Sequence, residues 1–338
     1  MSVLVTGAAG FIGAALAERL LRDGQTVYGL DNFSDYYDPK LKHARVTRLQ
    51  DMFGDKFVFR TIDLADFTRL LEFVAEAQPT IIYHLAAQAS VRYALKNPAA
   101  YCHSNLVGHF NVLEVCRQYR AMQPQIGERG LKHLVYASTS SIYGGNEKVP
   151  FSESDDVSRP ISLYAASKRS DELLTYSYSH MFGLPATAVR FFTVYGPWGR
   201  PDMSPWIFAK AILEGKPVPM FNKGDLWRDF TYVDDIVEGV VRLGAHVPAA
   251  QNNKSAPHEI YNLGNSQPVQ MLEFVEVLGD ILGKKPVLDL QPCPPTEVYK
   301  TFADTSKLEA AVGWKPYTPL RTGLEKFATW FVDYRQKQ

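Results

Sequence analysis

Residues 3–13 read VLVTGAAGFIG, a short apolar run followed by three spaced glycines and the start of a helical pattern. Glycines at such positions permit a tight turn, let the backbone approach a pyrophosphate and let the helix pack closely on the strand. The N-terminus of the helix then offers free N–H groups to the phosphates. The stretch therefore predicts a dinucleotide site formed by Gly7, Gly10, Phe11, Ile12 and Gly13.

An acidic residue at the end of the second apolar run indicates which dinucleotide is bound. Asp31 lies eighteen residues after Gly13, at a spacing where a carboxylate accepts both ribose hydroxyls of NAD and repels a 2′-phosphate. Asn32 and Phe33 follow it, and neither supplies the arginine that would favour NADP. We therefore expect NAD as the cofactor, with Asn32 beside its ribose.

The ends of the third and fourth apolar runs fit the same cofactor. Asp63-Leu64 places a carboxylate where it can bind an adenine amine, although it is also suited to cap the helix that follows. The next run ends in small residues, as a strand does where its backbone approaches a dinucleotide, but also as many ordinary strands do. This second group consists of Leu85, Ala86, Ala87 and Gln88.

Strand-like and helical patterns alternate through the first 190 residues. Strands are predicted at 3–5, 26–30, 57–60, 81–85, 134–137 and 186–191, and helices at 11–22, 67–77, 99–122 and 165–182. This alternation predicts an α/β fold with a Rossmann-type, doubly wound parallel sheet. Prolines then punctuate shorter elements, and helices are expected near 271–282, 306–312 and 320–334. We predict an NAD-binding domain over 1–192, to which some later segments return, and a smaller α/β lobe over 193–338.

The bulk composition excludes several other classes of protein. The 338 residues include 36 basic and 36 acidic side chains, so we expect no nucleic-acid surface and no polybasic membrane anchor. No apolar run approaches the roughly 18 residues of a membrane span, and no leader pattern precedes the first strand. The three cysteines have no metal-site spacing and are expected to be reduced thiols. A cytoplasmic enzyme without a metal is the expectation.

Tyr164 and Lys168 stand four residues apart at the start of a predicted helix, so their side chains share one face. A free phenol ionises only near about pH 10, but a neighbouring ammonium and a positively charged nicotinamide ring both favour the phenolate. Tyr164 is then suited to accept a proton from a substrate hydroxyl, while Lys168 holds the nicotinamide ribose and Thr139 bonds the same hydroxyl. A chance pair on a surface helix is the alternative. The glycine turn and the spacing of twenty-five residues from Thr139 to Tyr164 favour a catalytic site.

These motifs resemble a known family. The glycine turn, ASTSSIYG at 137–144 and YAASK at 164–168 resemble the extended short-chain dehydrogenases that act on sugar nucleotides, and the resemblance covers nearly the whole chain. LDNFSDYYD at 30–38, QASVRY at 88–93 and RFFTVYGPWGRPDM at 190–203 are similar to UDP-glucuronate 4-epimerases. The resemblance implies a UDP-sugar substrate, tightly bound NAD and reversible 4-epimerisation through a 4-keto intermediate. It also implies a homodimer formed by the helices at 99–122 and 165–182.

Substrate contacts follow from the same resemblance. Thr193 and Arg228 correspond to residues that bind the diphosphate, and Val218, Met220 and Phe221 to the segment that lines the uracil. One stretch departs from the family: PTEVY at 295–299 replaces a Gly-Asp-Val-Pro motif, and a basic residue expected upstream is absent. The phosphate contacts of this loop are therefore open, although Glu297 is placed to bind a ribose.

A uronate substrate makes a special demand, because a 4-keto uronate is a β-keto acid that readily loses carbon dioxide. Hydroxyls and a guanidinium can hold the carboxylate away from the carbonyl π-system, and the candidates are Ser140, Ser141 and Arg200, with Arg92 as a second cation. Strand-end packing for the serines and a solvated loop for Arg200 are the alternatives. Related decarboxylases carry a glutamate at the position of Ser141, and dehydratases an Asp-Glu pair. A 4-epimerase of a neutral UDP-hexose, a net oxidoreductase and a non-catalytic NAD sensor remain open.

Overall fold

The structure, a computed structural model, describes residues 1–122, 130–250, 255–293 and 298–336. It divides into two compact units. Unit 1 comprises 1–144, 156–190 and 237–261, and unit 2 comprises 145–155, 191–236 and 262–338. The division drawn from the sequence lies at 192/193 and differs from this one at 145–155 and 191–192, whereas 237–261 is a later segment of the kind expected to return to the first domain. Residues 145–155 lie in unit 2, and residues 237–261 lie in unit 1.

The strands are short apolar runs, as expected for strands buried in a sheet. In chain order they are β1 Ser2–Thr6, β2 Thr26–Asp31, β3 Phe57–Thr61, β4 Ile81–His84, β5 His133–Thr139, β6 Ala186–Phe191, β7 Thr193–Tyr195, β8 Val218–Phe221, β9 Trp227–Tyr232, β10 His258–Leu263, β11 Pro268–Gln270 and β12 Leu288–Gln291. Seven of them form the sheet of unit 1, in the order β3-β2-β1-β4-β5-β6-β10. The pairs β1–β2, β1–β4, β2–β3 and β4–β5 are parallel. The predicted doubly wound parallel sheet is confirmed.

The helices connect these strands. They are α1 Phe11–Arg22, α2 Lys40–Phe53, α3 Phe67–Ala77, α4 Pro98–Tyr101, α5 Gly108–Ala121, α6 Leu163–Phe182, α7 Ser204–Glu214, α8 Val233–Ala245, α9 Met271–Leu282, α10 Ser306–Val312 and α11 Leu320–Gln336. A π-helical turn, Cys102–Val107, joins α4 to α5, where the sequence predicted one continuous helix. Helix α2 was not predicted, because its buried face carries Lys42 and Arg45 and so lacks an apolar stripe.

The core of unit 1 lies on the central strands. Val3, Val5 and Leu134 are fully buried on β1 and β5. Helices α3 and α5 cover the sheet with Leu70, Phe73, Val112 and Leu113, which belong to the same apolar cluster as Leu4 and Leu134. This packing fixes the carboxyl ends of β1, β4 and β5, which carry the predicted site.

Unit 2 contains two small sheets, β11-β9-β7 and β12-β8. Phe230 on β9 stacks on Phe274 of α9 with ring centroids 4.4 Å apart. The buried carboxylate of Asp229 accepts the N–H groups of Asn265, Ser266 and Ala303 and so ties β9 to two later loops. Among the helices of the described residues, none is long and apolar enough to span a bilayer.

Candidate functional site

The glycine turn after β1 leaves no space for side chains. Gly7 has φ +71°, and a Cβ there would lie 2.8 Å from the backbone nitrogen of Ala86. A Cβ at Gly13 would lie 2.0 Å from the carbonyl oxygen of Gly7. The turn therefore packs directly on the segment that follows β4, between the two strands where the order of the sheet reverses. Open α/β sheets bind ligands at this point.

The N-terminus of α1 is suited to an anion. Its N-cap is Gly10, which provides no side-chain hydrogen bond, and its first turn contains no acidic residue. The first N–H groups of a helix have no partner within the helix, and the helix dipole favours negative charge there. A pyrophosphate fits this cradle, as the sequence predicted for Gly10, Phe11, Ile12 and Gly13.

Asp31 is the last residue of β2 and is almost fully buried. Its Oδ1 accepts the N–H of Phe33 at 2.8 Å and lies 3.9 Å from Nζ of Lys42. Burial raises the pKa of this carboxyl, and Lys42 and the N–H of Phe33 oppose the rise. The position at the end of β2 is the one that the predicted ribose contact requires.

Asp63 belongs to a polar group with Asn32 and His103. Its carboxylate accepts Nδ2 of Asn32 at 3.0 Å and lies 3.1 Å from Nε2 of His103. Although burial acts to raise the pKa of Asp63, these bonds and the N–H of Ala65 hold it below its usual value. The N-cap of α3 is Asp66, so helix capping does not account for Asp63.

A cavity of about 370 Å³ lies beside this group. Two of the predicted cofactor residues, Asn32 and Gln88, line it, together with Ser34, Tyr93, Asn97 and His103 among others. Polar side chains and small residues such as Ala99 and Ala100 form its wall. The segments that follow β2 and β4 therefore border one space, as expected for the adenosine part of a dinucleotide.

Helix α6 carries the predicted acid–base pair. It begins after Ser162, whose hydroxyl accepts the N–H of Ala165 at 3.1 Å. Tyr164 is half-buried, and its ring meets that of Tyr101 edge-on at 6.3 Å. Lys168, one turn later, is buried, and its Nζ lies 2.7 Å from Oδ2 of the equally buried Asp171. The Lys168–Asp171 pair was not foreseen from the sequence.

Thr139 is the last residue of β5. The N–H of Ser141 donates to its Oγ1 at 3.2 Å, which begins the short helical turn Ser140–Tyr143. Thr139 is buried and both serines are partly buried, with the Oγ atoms of Thr139 and Ser141 3.2 Å apart. Three hydroxyls therefore cluster at the carboxyl end of one strand.

A buried ion pair holds α6 to the sheet. Arg190 on β6 donates to both carboxylate oxygens of Glu172 at 2.9 Å, and Ser138 on β5 donates to the same carboxylate at 2.7 Å. Burial opposes ionisation, but these bonds lower the pKa of Glu172 and raise that of Arg190. The sequence analysis missed both residues. The available signal was an arginine inside an otherwise apolar strand, which needs a buried counter-charge.

Asn105 is a further site residue that was not predicted from the sequence. It lies in the π-helical turn, accepts the N–H of Gln88 at 2.8 Å and donates to the carbonyl of Gln88 at 3.1 Å. Its amide also donates to Oγ of Ser167 on α6 at 2.9 Å. Asn105 therefore fixes the end of β4 relative to the helix that carries Tyr164 and Lys168.

The predicted substrate cations occupy different settings. Arg92 of unit 1 is exposed, at the start of the short turn Tyr93–Leu95. In unit 2, Arg228 on β9 donates to the carbonyls of Trp227 and Tyr299 at 2.8 and 3.3 Å. Arg200 forms a bidentate pair with Asp202, at 3.0 and 2.6 Å, and is mostly buried rather than solvated.

The predicted uracil segment is β8. The side chains of Val218 and Met220 are buried in unit 2, whereas Phe221 is half-buried. A ligand would therefore meet the ring of Phe221 and the strand backbone rather than the other two side chains. Thr193 is the partly buried first residue of β7. Glu297 lies outside the described residues.

Known proteins are similar to this chain in both sequence and fold. The profile of the NAD dependent epimerase/dehydratase family matches residues 3–264. The chain belongs to the NAD-dependent epimerase/dehydratase family. UDP-glucuronate 4-epimerase 3 of Arabidopsis thaliana is 46% identical over 345 residues, which cover 98% of this chain and 77% of that protein.

Two solved structures extend the comparison to three dimensions. The UDP-glucuronic acid 4-epimerase of Bacillus cereus, solved with UDP-glucuronic acid and NAD, has a TM-score of 0.85 at 32% identity, covering 99% of this chain and 100% of that one. The UDP-glucose 4-epimerase of Thermotoga maritima, solved with UDP-glucose, has a TM-score of 0.84 at 28% identity, with the same coverage.

The unit 1 residues of this family member fit NAD. The glycine cradle would be filled by any Cβ, the N-terminus of α1 offers N–H donors, and Asp31 is an acceptor suited to a ribose diol. Among the described residues, no group of three or more His, Cys, Asp or Glu side chains is placed to hold a metal ion.

Proposed function

We propose that this protein is a UDP-glucuronate 4-epimerase that interconverts UDP-glucuronate and UDP-galacturonate with tightly bound NAD. Identity of 46% to a plant UDP-glucuronate 4-epimerase over 98% of this chain carries the proposal. The setting of Tyr164, Lys168 and Thr139 in unit 1 supports it, since the first two share one face of α6 and the third ends β5.

The residues of unit 1 have distinct tasks toward NAD. The glycine turn and the N-terminus of α1 hold the pyrophosphate, Asp31 and Asn32 the adenosine ribose, and Asp63 with Leu64 the adenine. The segment Leu85, Ala86, Ala87 and Gln88 lies beside the dinucleotide, and Lys168 binds the nicotinamide ribose. When bound, NAD supplies a reversible two-electron oxidant for carbon 4 of the sugar.

Tyr164 moves the proton at the sugar. It accepts the proton of the 4-hydroxyl as carbon 4 is oxidised, and Thr139 bonds the same oxygen. The 4-keto sugar then presents its other face, and Tyr164 returns the proton to the 4-oxygen as carbon 4 is reduced. The proton therefore leaves and returns on one phenol, so the reaction consumes no acid or base.

The carboxylate of the keto sugar must be restrained to prevent decarboxylation. From the family resemblance, we assign this task to Ser140, Ser141 and Arg200, with Arg92 as a second cation. Arg200 already holds a carboxylate in bidentate geometry, that of Asp202, and a uronate offers the same group. Ser141 is uncharged, which argues against a decarboxylase that needs a glutamate at this position.

Unit 2 supplies the groups that we assign to the UDP part of the substrate. Thr193 and Arg228 bind the diphosphate, and β8, with Val218, Met220 and Phe221, lies against the uracil. Glu297 is assigned to a ribose by resemblance alone, since it lies outside the described residues.

The protein is proposed to act as a homodimer in the cytoplasm. Helices α5 and α6 expose Phe110, Leu173, Tyr176 and Phe182 at 42–53%, an apolar surface of the kind that a second copy covers. Leu113 and Tyr178 on the same two helices are buried within the chain. Cys102, Cys116 and Cys293 are free thiols, which fits a reducing compartment. Light scattering of the purified protein measures the oligomeric state.

A neutral UDP-hexose is the second candidate substrate, because the same acid–base residues would serve it. The UDP-glucose 4-epimerase of T. maritima, with a TM-score of 0.84, favours this alternative. The two functions differ in their need for a guanidinium that receives a carboxylate, so Arg200 discriminates between them.

The deciding experiment incubates purified protein with UDP-glucuronate, without added NAD, and separates the nucleotide sugars by chromatography. UDP-galacturonate appearing to an equilibrium mixture supports the proposal, and Tyr164→Phe should abolish it. A UDP-pentose would instead identify a decarboxylase. No conversion, followed by turnover of UDP-galactose, would establish the neutral-sugar alternative.

A further inference from the structure

Lys168 is an ammonium in an almost dry site. It is 2% exposed, and its Nζ donates to Oδ2 of Asp171 at 2.7 Å, while Asp171 is fully buried. The two residues are three apart on α6, so the helix itself sets their separation. A buried ammonium without an opposite charge is strongly disfavoured. The pair therefore belongs to the interior of unit 1 and is not a surface contact.

The other ionisable groups around the pair do not supply a counter-charge. Burial lowers the pKa values of His84 on β4 and His109 on α5 well below the usual value for histidine, and the charge of Lys168 lowers both further. Burial likewise raises the pKa of Tyr136 on β5 far above its usual value. These three groups are therefore neutral at physiological pH.

The neighbouring carboxylate of Glu172 is neutralised by other cations. Arg190 on β6 and Arg169 on α6 both bind it at 2.9 Å. Among the described residues, Asp171 is the one carboxylate within ion-pair distance of Lys168. Asp171 alone therefore balances the ammonium.

The second carboxylate oxygen of Asp171 also bears on the role of this residue. Within the part of the chain that the structure describes, Oδ1 has no hydrogen-bond partner although it is buried. Burial accordingly raises the pKa of Asp171, and Lys168 opposes the rise. A half-satisfied buried carboxylate costs stability. Among the described residues, the side-chain bond of this carboxylate that offsets the cost is the one to Lys168.

We infer that Asp171 is a positioning residue for Lys168. Its carboxylate pairs with the amine and occupies one of its N–H donors, which leaves two that would bind the ribose diol of NAD. The inference rests on the proposed role of Lys168 in binding NAD. It names no contact between Asp171 and the sugar substrate.

The test measures how fast bound NAD leaves the purified holoprotein in NAD-free buffer, at about pH 6.5 and about pH 9. Asp171→Asn keeps the size of the side chain and removes its charge. A buried ammonium that loses its counter-charge gives up its proton at lower pH. The variant should release NAD roughly ten-fold faster than the unaltered protein at the higher pH, with a smaller difference at the lower pH. Asp171→Glu should restore slow release.

Glu172→Gln is the matched control, since it removes a buried carboxylate from the same helix that pairs with arginines. It should lower the thermal midpoint without changing the pH dependence of NAD release. Equal release rates for Asp171→Asn and the unaltered protein would overturn the inference. Slower release would overturn it as well, because Asp171 would then compete with NAD for Lys168. If Asp171→Asn does not fold, Asp171→Ser removes the same charge with a smaller side chain.

Release of NAD involves no sugar nucleotide, so the inference and the proposed function fail separately. Protein that holds NAD in a manner dependent on Asp171 but leaves UDP-glucuronate unchanged would contradict the function alone. Protein that converts UDP-glucuronate with unaltered NAD release in Asp171→Asn would contradict the inference alone.

Discussion

The two units hold their charged site residues in opposite ways. In unit 1 the Lys168–Asp171 and Arg190–Glu172 pairs are at most 2% exposed. In unit 2 both partners of the Arg200–Asp202 pair are about one-fifth exposed, at 20% and 23%, and Arg228 bonds to backbone carbonyls. The buried pairs are fixed parts of the fold. The unit 2 cations have local partners that a substrate anion can replace.

The difference indicates that the ion pairs of the two units have different roles, structural in unit 1 and exchangeable in unit 2. Removing one partner of a buried pair costs about 3–5 kcal/mol. The two buried pairs of unit 1 should therefore already be formed around the proposed acid–base residues before a ligand binds. A pair that is about one-fifth exposed, like Arg200–Asp202, is less costly to break than a fully buried one, so exchanging its carboxylate for a substrate group should cost less. Four substitutions test this contrast.

Tyr164→Phe should have the largest effect. It removes the phenolic hydroxyl that takes and returns the proton and leaves the ring in place, so epimerisation should fall about 10³–10⁴-fold. Chromatographic assay of UDP-galacturonate formation measures the loss. NAD content and thermal midpoint should stay as in the unaltered protein, and a fall in either would point to a structural role for the hydroxyl.

Glu172→Gln tests the buried side of the comparison. It leaves Arg190 without its bidentate partner, and we expect a loss of about 3–5 kcal/mol in the free energy of unfolding, measured in urea. The double variant Glu172→Gln/Arg190→Met should recover part of that loss, since the charge left without its carboxylate partner is then that of the partly exposed Arg169 and not a fully buried one. A single variant within about 1 kcal/mol of the unaltered protein would contradict the assignment of this pair to the fixed framework.

Arg200→Gln tests the exchangeable side. Without the guanidinium, kcat/KM for UDP-glucuronate should fall roughly 10–100-fold, as expected for loss of a bidentate charged contact. Turnover of UDP-glucose is the internal control and should change by less than about three-fold. Equal losses for both substrates would show that Arg200 does not recognise the carboxylate.

Asp202→Asn should have the smallest effect and the opposite sign. It removes a carboxylate that competes for Arg200, so KM for UDP-glucuronate should fall by about 2–5-fold, as expected when a partly exposed ion pair no longer has to be broken. Stability should change by about 1 kcal/mol or less. A rise in KM would mean that Asp202 holds Arg200 in its binding geometry instead of competing with the substrate.

The sequence predicted the parts of the site that local patterns specify. The glycine turn, Asp31 and the helix with Tyr164 and Lys168 follow from spacing within one element, and the structure has them on those elements. Glu172, Arg190 and Asn105 were missed because their roles depend on partners 18 to 62 positions away, on other strands and helices. Asp171 was missed although Lys168 is three residues away on the same helix, because spacing alone does not show that both side chains are buried. Helix α2 was missed because the charged residues Lys42 and Arg45 interrupt the apolar pattern on its buried face.

The π-helical turn at Cys102–Val107 has a consequence for how this chain tolerates changes in length. Such a turn accommodates one residue more than regular α-helical hydrogen bonding does. Deleting one residue there would restore a regular helix and rotate the preceding part by about 100° relative to α5. Asn105 would then be turned away from Gln88 and Ser167, although every residue type outside the deletion is preserved. Single-residue deletions in this turn are therefore expected to be more damaging than most substitutions on its surface.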